Sequence, residues 1–213
     1  MSGQVYWFRP PVCCDPFGPA CISLSVTSPF AIDVPSSLLN RARNGEAEAF
    51  EQLYRWFERP VFTLALRLCG QREEAQDILQ ETMLKLLGKI AEFRGESPFW
   101  GWLRQIAVNE CLMRLRKRHP GLETDMDGES DFLEADILLP PQAADARLLT
   151  EAMNRLPATT RSVLWLYHVE GYTHDEIAGL MDKTISFSKS QCARGGKKLR
   201  ELLNIDKEVP SHG

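Results

Sequence analysis

Apolar residues recur every three or four positions from residue 37 to about residue 118, and again from 145 to 204. That spacing is typical of helices that bury one face. No alternating strand pairs and no internal repeats accompany it, so the pattern predicts an all-α fold. The clearest helix, from about residue 72 to 89, has an apolar side formed by Ala75, Ile78, Leu79, Thr82, Met83 and Leu86.

Several helix boundaries can be placed from local signals. Pro60 fits the first position of a second helix that stops at Gly70, and Ser97 is expected to cap a helix with Pro98 in its first turn. Residues 173–176 form a capping box at the start of a later helix.

The same pattern divides the chain into two helical domains with flanking and connecting segments. Residues 1–36 are rich in proline and are expected to be a disordered tail, although a single strand around residues 22–26 or a misassigned translation start would also fit. The predicted segments are a tail at 1–36, a helical bundle at 37–118, a flexible acidic linker at 119–144, a helix-turn-helix domain at 145–204 and a short tail at 205–213.

Charge is distributed unevenly along the chain. The formal net charge is −4, but residues 119–146 hold eight acidic residues and no Lys or Arg, so the remainder has 21 acidic against 25 basic residues. Two basic clusters stand out, at residues 114–118 and at 183–200, where six basic residues occur without an acidic one. Two basic segments on either side of an acidic linker indicate a polyanionic partner that is held at two points.

The composition also excludes several classes of function. No run of 18 apolar residues is present, and the first thirty residues lack the features of a secretory signal, so we expect a cytoplasmic protein without membrane insertion. The six cysteines form no metal-ligand pattern and are expected to be buried thiols, with a redox role for Cys13, Cys14 and Cys21 as the alternative. No nucleophile–base pair or phosphate loop accompanies the four histidines, and His168 lies next to an apolar stripe, as a structural residue would. We therefore expect no catalytic residues, no cofactor and no metal.

The second half of the chain has the layout of a helix-turn-helix. A capped helix is followed by a short turn and then a basic helix of the kind that enters the major groove of DNA. The residues expected to contact base edges are Ser186, Ser188, Lys189 and Gln191, and those expected to contact phosphates are Arg194, Lys197 and Lys198. The alternative is a solvated basic helix.

Two further surfaces lie in the first half. Aromatic residues near cations, which suit the stacking of single-stranded bases, occur between residues 93 and 104. Phe99 and Trp102 fall on the apolar stripe of their helix, whereas Arg94 and Trp100 fall off it. On the helix at 72–89, a second face suits either solvent or a protein partner and consists of Asp77, Gln80, Glu81 and Leu84.

These residues resemble a known family. Residues 45–50 (Gly-Glu-Ala-Glu-Ala-Phe) and 74–82 (Glu-Ala-Gln-Asp-Ile-Leu-Gln-Glu-Thr) are similar to the start of a sigma-70-type initiation factor, and residues 102–109 (Trp-Leu-Arg-Gln-Ile-Ala-Val-Asn) to its promoter-melting helix. Leu156-Pro157, Arg161, and Glu176-Ile177-Ala178 before Lys189-Ser190 are similar to its C-terminal helix-turn-helix. Size, two lobes and an acidic linker are similar to the extracytoplasmic-function (ECF) subfamily, and the likeness covers about residues 38–118 and 145–203.

The resemblance implies a sigma factor that binds core RNA polymerase, directs it to promoters and helps to melt them, without covalent chemistry. Asp77, Gln80, Glu81 and Leu84 would dock on the clamp helices of the largest subunit, and the flap of the second-largest subunit would be a further contact. The loop before Ser97 would capture a flipped base, and helix 186–198 would read the −35 element. The implied −10 contacts are Arg94, Trp100, Arg104, Asn109, Arg114 and Arg116. The resemblance also implies an anti-sigma factor as a partner, although no residue identifies one.

Some positions depart from the family pattern. Asp182 replaces a turn glycine, Ser188 an apolar residue and Gln191 an arginine, and Gly195-Gly196 replaces an Ala-Arg pair. Because each glycine costs about 1 kcal/mol relative to alanine inside a helix, the recognition helix is expected to fray or end early.

Two other classes of function compete with the sigma-factor hypothesis. A DNA-binding regulator could use the helix-turn-helix without polymerase, but it leaves the Asp77–Glu81 face and the aromatic segment unexplained. An enzyme would need a catalytic constellation that the sequence lacks.

Overall fold

Eight α-helices form the part of the chain that the computed structural model describes, residues 32–118 and 144–203. Within these ranges no strand occurs, which confirms the predicted all-α fold, and no helix is long and apolar enough to cross a membrane. The helices are α1 (Ser36–Arg43), α2 (Ala47–Cys69), α3 (Arg72–Lys89), α4 (Phe99–Arg118), α5 (Ala144–Asn154), α6 (Ala158–His168), α7 (His174–Met181) and α8 (Ile185–Leu202).

The N-terminal lobe, α1–α4, is built on α2, which packs against both α3 and α4. The predicted apolar side of α3 is buried over its whole length. Each large side chain that is fully buried in such a core contributes about 1.5–3 kcal/mol. The predicted acidic linker and both tails lie outside the described residues.

Pro60 does not begin a helix, as the sequence analysis predicted, but lies inside the continuous helix α2. A proline there removes one backbone hydrogen bond and costs about 3 kcal/mol. Apolar residues on both sides of it, Phe57 and Val61, are completely buried, and their burial offsets that cost. At α4 the prediction differs by one residue, because the helix begins at Phe99 instead of Pro98.

The C-terminal lobe, α5–α8, has the predicted helix-turn-helix in α7 and α8. The capping box at the start of α7 is confirmed, since Oγ1 of Thr173 accepts from the Glu176 amide at 3.2 Å and the Glu176 carboxylate accepts from the Thr173 amide at 2.8 Å. Asp182 ends α7 in the left-handed conformation with φ of 55°, which explains why a glycine is usual there. The expectation that α8 ends early was wrong, because the helix runs through Gly195 and Gly196 to Leu202.

The two lobes are packed against each other, which the sequence analysis did not predict. Residues of α6 and α7 share one buried cluster with the core of the N-terminal lobe: Val163, Leu166, Ile177 and Met181. The contact joins α2 to α6 and α4 to α7.

Arg161 is the centre of this contact between the lobes. Its side chain is only 2% exposed, and its Nη2 donates to the carbonyl oxygens of Leu68 at 3.4 Å and Cys69 at 2.7 Å. Ser162 adds a hydrogen bond of 3.1 Å to the Leu68 carbonyl. These carbonyls end α2 and have no partner within it, so α6 of one lobe caps α2 of the other with a positive charge.

Gly70 is required by this arrangement for two reasons. It has φ of 79°, and a Cβ atom there would lie 2.3 Å from Nη2 of Arg161. Gly45 has a similar φ of 82°, but a Cβ atom there would meet nothing within 4 Å. The same substitution at Gly70 and at Gly45 therefore distinguishes the effect of backbone strain from the effect of crowding at the contact between the lobes.

We expect Gly70→Ala to lower the free energy of unfolding by clearly more than Gly45→Ala. Both variants introduce left-handed strain of about 1–2 kcal/mol, but only the first displaces the Arg161 guanidinium from the α2 carbonyls. Urea unfolding of the two variants measures the difference. Equal losses of unfolding free energy in the two variants would show that the Arg161 side chain moves aside without cost.

Candidate promoter-DNA and docking surfaces

The recognition helix α8 presents a basic face to solvent. Thr184 caps it, accepting from the Phe187 amide at 3.1 Å. The described lobe exposes Lys183, Lys189, Arg194, Lys197, Lys198 and Arg200 around this helix, with no acidic residue between 183 and 200. Such a face suits phosphates, and phosphate contacts by Arg194, Lys197 and Lys198 stay a prediction.

The predicted base-contacting residues lie on two sides of α8. Ser186 and Lys189 are exposed, but Ser188 is completely buried and Gln191 accepts a 2.6 Å hydrogen bond from Thr160 of α6. Ser188 as a direct base contact was therefore wrong, and Gln191 is held on the inner side of the helix. Both residues belong to the side of α8 that packs on α6 and α7.

Sequence reasoning missed two residues of the outward side, Ser190 and Ala193. Both are exposed, and with Ser186 and Lys197 they follow the helical spacing of one face. Counting that spacing from an inward Ser188 would have identified them.

The buried Ser188 fastens α8 to the start of α7. Its Oγ lies 3.0 Å from Nδ1 of His174, whose ring stacks on Tyr167 with the planes 10° apart and the centroids at 4.2 Å. Burial, and then the nearby charge of Lys189, lower the pKa of His174, so the ring is neutral at neutral pH. His168, predicted to be structural, is exposed and lies 3.5 Å from Sγ of Cys192.

Gly195 lets α8 approach α6 closely. A Cβ atom there would lie 2.6 Å from both Cδ1 of Leu164 and Cγ2 of Thr160, whereas one at Gly196 would meet nothing within 4 Å. The two glycines that the sequence analysis treated alike therefore have different roles.

The aromatic segment of α4 is mostly buried. Trp100 is 8% exposed and stacks on Phe57 with a centroid distance of 5.9 Å, so its predicted place off the apolar side was wrong. The buried side is wide at the start of α4 because the helix packs on α2 and on Phe93. Trp102 packs on Phe93 and is partly exposed, whereas Arg94 is exposed.

An open depression lies next to the loop that contains Arg94. It has a volume of about 420 Å³ and lies between the start of the described chain and the loop before α4. Its lining includes Val34, Phe93, Gly95, Ser97 and Phe99. The depression has aromatic and polar walls, as a site for an extruded base would.

Three of the four other predicted −10 residues are engaged within the chain. Arg104 forms an ion pair with Glu170 of the C-terminal lobe at 2.9 Å, and Arg116 donates to the Leu180 carbonyl of the same lobe. Arg114 pairs with Asp77 of α3 at 2.7 Å, and this hydrogen bond raises the pKa of the guanidinium. Asn109 is exposed.

The predicted docking face of α3 is exposed at Asp77, Gln80, Glu81 and Leu84, and Leu84 is 63% exposed. Leu87 is 57% exposed and extends the face by one turn. The sequence analysis missed Leu87, although its spacing of three from Leu84 places it on the same side.

The described cysteines form no metal site, and no cluster of metal-ligating side chains occurs in residues 32–118 and 144–203. Cys69 and Cys111 are buried as predicted, while Cys192 is partly exposed. The Cys111 thiol donates a hydrogen bond to Cys69, and this bond together with burial raises its pKa, so it stays protonated. Cys13, Cys14 and Cys21 lie outside the described residues.

The described helices combine a basic helix-turn-helix, which is typical of one class of DNA-binding protein, with a separate exposed face on α3. Family comparisons identify the class further. The model of sigma-70 region 2 matches residues 53–120, and that of sigma-70 region 4 matches residues 146–199.

Relatives with known names support the same family. The chain is 30% identical over 178 residues to the RNA polymerase sigma-H factor of Pseudomonas aeruginosa, covering 78% of this chain and 92% of the relative. It is 32% identical over 161 residues to the ECF RNA polymerase sigma factor SigM of Mycobacterium tuberculosis, covering 75% and 79%. Among solved structures, the sigma factor RpoE of Bartonella quintana, in complex with the anti-sigma factor NepR, has a TM-score of 0.48 at 23% identity, covering 75% of this chain and 99% of that one.

The chain belongs to the sigma-70 family of RNA polymerase sigma factors, in the ECF subfamily. Its function is polymerase-directed promoter recognition, which both region matches and the named relatives support over a regulator that acts without polymerase. Sigma factors are in general non-enzymatic regulators of transcription initiation.

We expect Gly195→Ala to destabilise the chain by about 1–3 kcal/mol, since its methyl group overpacks the contact with Leu164 and Thr160. Gly196→Ala, its matched control, should stabilise the chain by up to about 1 kcal/mol through helix propensity alone. Thermal unfolding of both variants checks this. A stabilised Gly195→Ala would show that α6 and α8 are not in close contact.

Proposed function

We propose that the two lobes divide the work of promoter recognition. Residues 37–118 would bind core polymerase and the −10 element, and residues 145–204 would bind the −35 element. Residues 119–144 would connect them, with 1–36 and 205–213 as tails. The observation that carries this proposal is the match of both lobes, in order, to the two sigma-70 regions.

Polymerase docking is assigned to the exposed face of α3. Asp77, Gln80, Glu81 and Leu84 supply two carboxylates, an amide and an apolar side chain for the clamp helices of the largest subunit, and Leu87 adds apolar surface. Charges around an exposed leucine give a docking surface both orientation and affinity. The C-terminal lobe would in turn contact the flap of the second-largest subunit.

Promoter melting is assigned to the loop before α4 and to α4 itself. The depression of about 420 Å³ beside Gly95 and Ser97 would take the base that leaves the duplex, with Arg94 at its rim and Asn109 further along the strand. Trp100 would support the aromatic wall of this depression from the protein interior, because its ring is buried on Phe57. Arg104, Arg114 and Arg116 would reach the strand after their present partners release them.

Recognition of the −35 element is assigned to the outward side of α8. Ser186, Lys189, Ser190 and Ala193 would face base edges, where hydroxyl and ammonium groups donate and a methyl group contacts thymine. Arg194, Lys197 and Lys198 would hold phosphates. Ser188 and Gln191 would act by fixing the helix against α6 and α7.

The remaining partners and the location follow from the family. We place the chain in the cytoplasm, where core polymerase and promoter DNA are present. An anti-sigma factor stays a prediction for this chain. No catalytic residue, cofactor or metal is assigned.

The decisive test is transcription by purified core polymerase from fragments of the source genome, with and without this chain. Discrete transcripts that require the chain support the proposal, and their start sites define its −10 and −35 elements. Binding to neither polymerase nor DNA would contradict it.

Asp77→Ala combined with Gln80→Ala should abolish co-purification with core polymerase. The melting temperature should fall little, because the lost Asp77–Arg114 pair is exposed and such pairs contribute about 0–1 kcal/mol. The matched control is Glu51→Ala with Gln52→Ala on α2, which removes the same kinds of exposed group and one exposed pair, Glu51–Arg55. Co-purification that survives the α3 substitutions would refute the assignment.

Lys197→Ala and Lys198→Ala should each reduce the salt dependence of binding to a −35 duplex by about one unit of log–log slope, because each removes one phosphate contact. Lys89→Ala, an exposed lysine at the end of α3, is the control and should leave the slope unchanged. Slopes for Lys197→Ala and Lys198→Ala that equal the wild-type slope would place these lysines in solvent.

A further inference from the structure

The depression beside the loop before α4 has a second wall, formed by the segment that leads into α1. Ile32, Asp33, Val34 and Ser36 line it together with Leu39 of α1 and with the loop. The match to sigma-70 region 2 begins at residue 53, so this wall lies outside the part of the chain that the family model covers. The family model therefore assigns this wall no role.

The two walls are tied to the core and to each other. Ile32 and Val34 are partly buried and pack against the core of the N-terminal lobe. Arg43, at the end of α1, donates to the Phe93 carbonyl and holds its guanidinium 6.0 Å from the centroid of that ring. Phe93 in turn packs edge-on against Phe99. The depression is therefore preorganised, which lowers the entropic cost of binding a ligand there.

Asp33 adds a carboxylate to a lining whose other side chains are apolar or carry hydroxyl groups. Asp33 is exposed, and no hydrogen bond or ion pair engages its carboxylate within the described ranges 32–118 and 144–203. It does not cap α1 either, since that helix begins after Pro35 without a side-chain cap. The hydroxyl groups on the lining are those of Ser36 and Ser97. Aromatic rings, two hydroxyl groups and a carboxylate suit the flat face and the polar edge of a nucleobase.

A carboxylate distinguishes the bases by their donors, because an ionised carboxylate only accepts hydrogen bonds. Guanine presents two neighbouring donors, N1–H and the N2 amino group, and cytosine and adenine each present one amino group. Thymine has no amino group, and its single N3–H lies between two carbonyl oxygens that a carboxylate repels. A well-placed hydrogen-bond pair between a side chain and a base edge discriminates roughly tenfold or more against the wrong base.

We propose that Asp33 determines which base the depression accepts: its carboxylate accepts hydrogen bonds from the amino group of guanine, cytosine or adenine and rejects thymine. This inference rests on the proposed function, which assigns the depression to a base that leaves the −10 duplex, and it deepens that assignment by naming the chemistry of the base. The negative charge also keeps phosphates out of the depression, so the backbone stays near the exposed Arg94 at its rim.

The test uses the full chain with core polymerase and promoter DNA whose −10 element, as mapped by the transcription assay, is single-stranded. Each position of the element carries each of the four bases in turn, and the affinity of every combination is measured. Asp33→Asn keeps the size of the side chain but adds an amide NH2 group that donates to the carbonyl oxygens of thymine. Glu92→Gln is the matched control, since Glu92 is exposed just before the loop and is not among the residues that line the depression.

We expect one position at which wild type binds thymine about tenfold more weakly than the preferred base, which carries an amino group. Asp33→Asn should reduce this thymine penalty about fivefold at that position and leave the ratios at the other positions unchanged. Glu92→Gln should change no ratio. Melting followed by circular dichroism should show that both variants are as stably folded as wild type.

Three results would overturn the inference: no position with such a thymine penalty, a penalty that Asp33→Asn leaves unchanged, or an equal change in Glu92→Gln. A loss of affinity for all four bases together with a lower melting temperature would overturn it too, because Asp33 would then only support the start of α1. In each of these cases, normal transcription by wild-type holoenzyme leaves the proposed function standing. Failure of wild-type holoenzyme to bind and transcribe would instead contradict the proposed function, and the inference with it.

Discussion

The contact of the Arg161 guanidinium with the end of α2 is the interaction on which the arrangement of the two lobes depends. It places a full positive charge on carbonyls that have no helical partner, at the negative end of a helix of 23 residues. Burial lowers the pKa of Arg161, and its Nε has no partner in the structure, so the contact carries a cost of desolvation. Charge-assisted hydrogen bonds of about 1.5–3 kcal/mol each offset that cost.

The surfaces on either side of this contact differ in availability. The α3 face and the outward side of α8 are exposed, whereas Arg104 and Arg116 are bound across the lobe boundary. In the proposed function, core binding and −35 recognition would use surfaces that are already accessible, whereas −10 recognition would require Arg104 and Arg116 to leave Glu170 and Leu180. In the proposed function this order places polymerase docking before the capture of single-stranded DNA.

Signals from residues close together in the sequence predicted the helices. Contacts between residues far apart in the sequence accounted for most of the wrong predictions. The capping box at Thr173, the apolar side of α3 and the basic face of α8 each follow from residues a few positions apart, and the structure confirms all three. Burial of Trp100 depends on Phe57 of another helix, and the pairing of Arg104 depends on Glu170 of another lobe. Gly195 was expected to weaken α8, because the sequence does not show that α8 lies against Leu164 and Thr160 of α6 at this position. Ser188 and the missed Ser190 could have been assigned correctly if the inward side of α8 had been fixed first.

In the proposed function, the Asp77–Arg114 pair would join the polymerase surface to the DNA surface through one shared carboxylate. A polymerase residue that took Asp77 would leave Arg114 available to a phosphate. Thermodynamic linkage makes the effect reciprocal, so DNA that binds Arg114 must raise the affinity for polymerase by the same factor. An exposed pair limits that factor to a few-fold, since it is worth at most about 1 kcal/mol. On these assignments the N-terminal lobe would couple its two ligands weakly through this one pair.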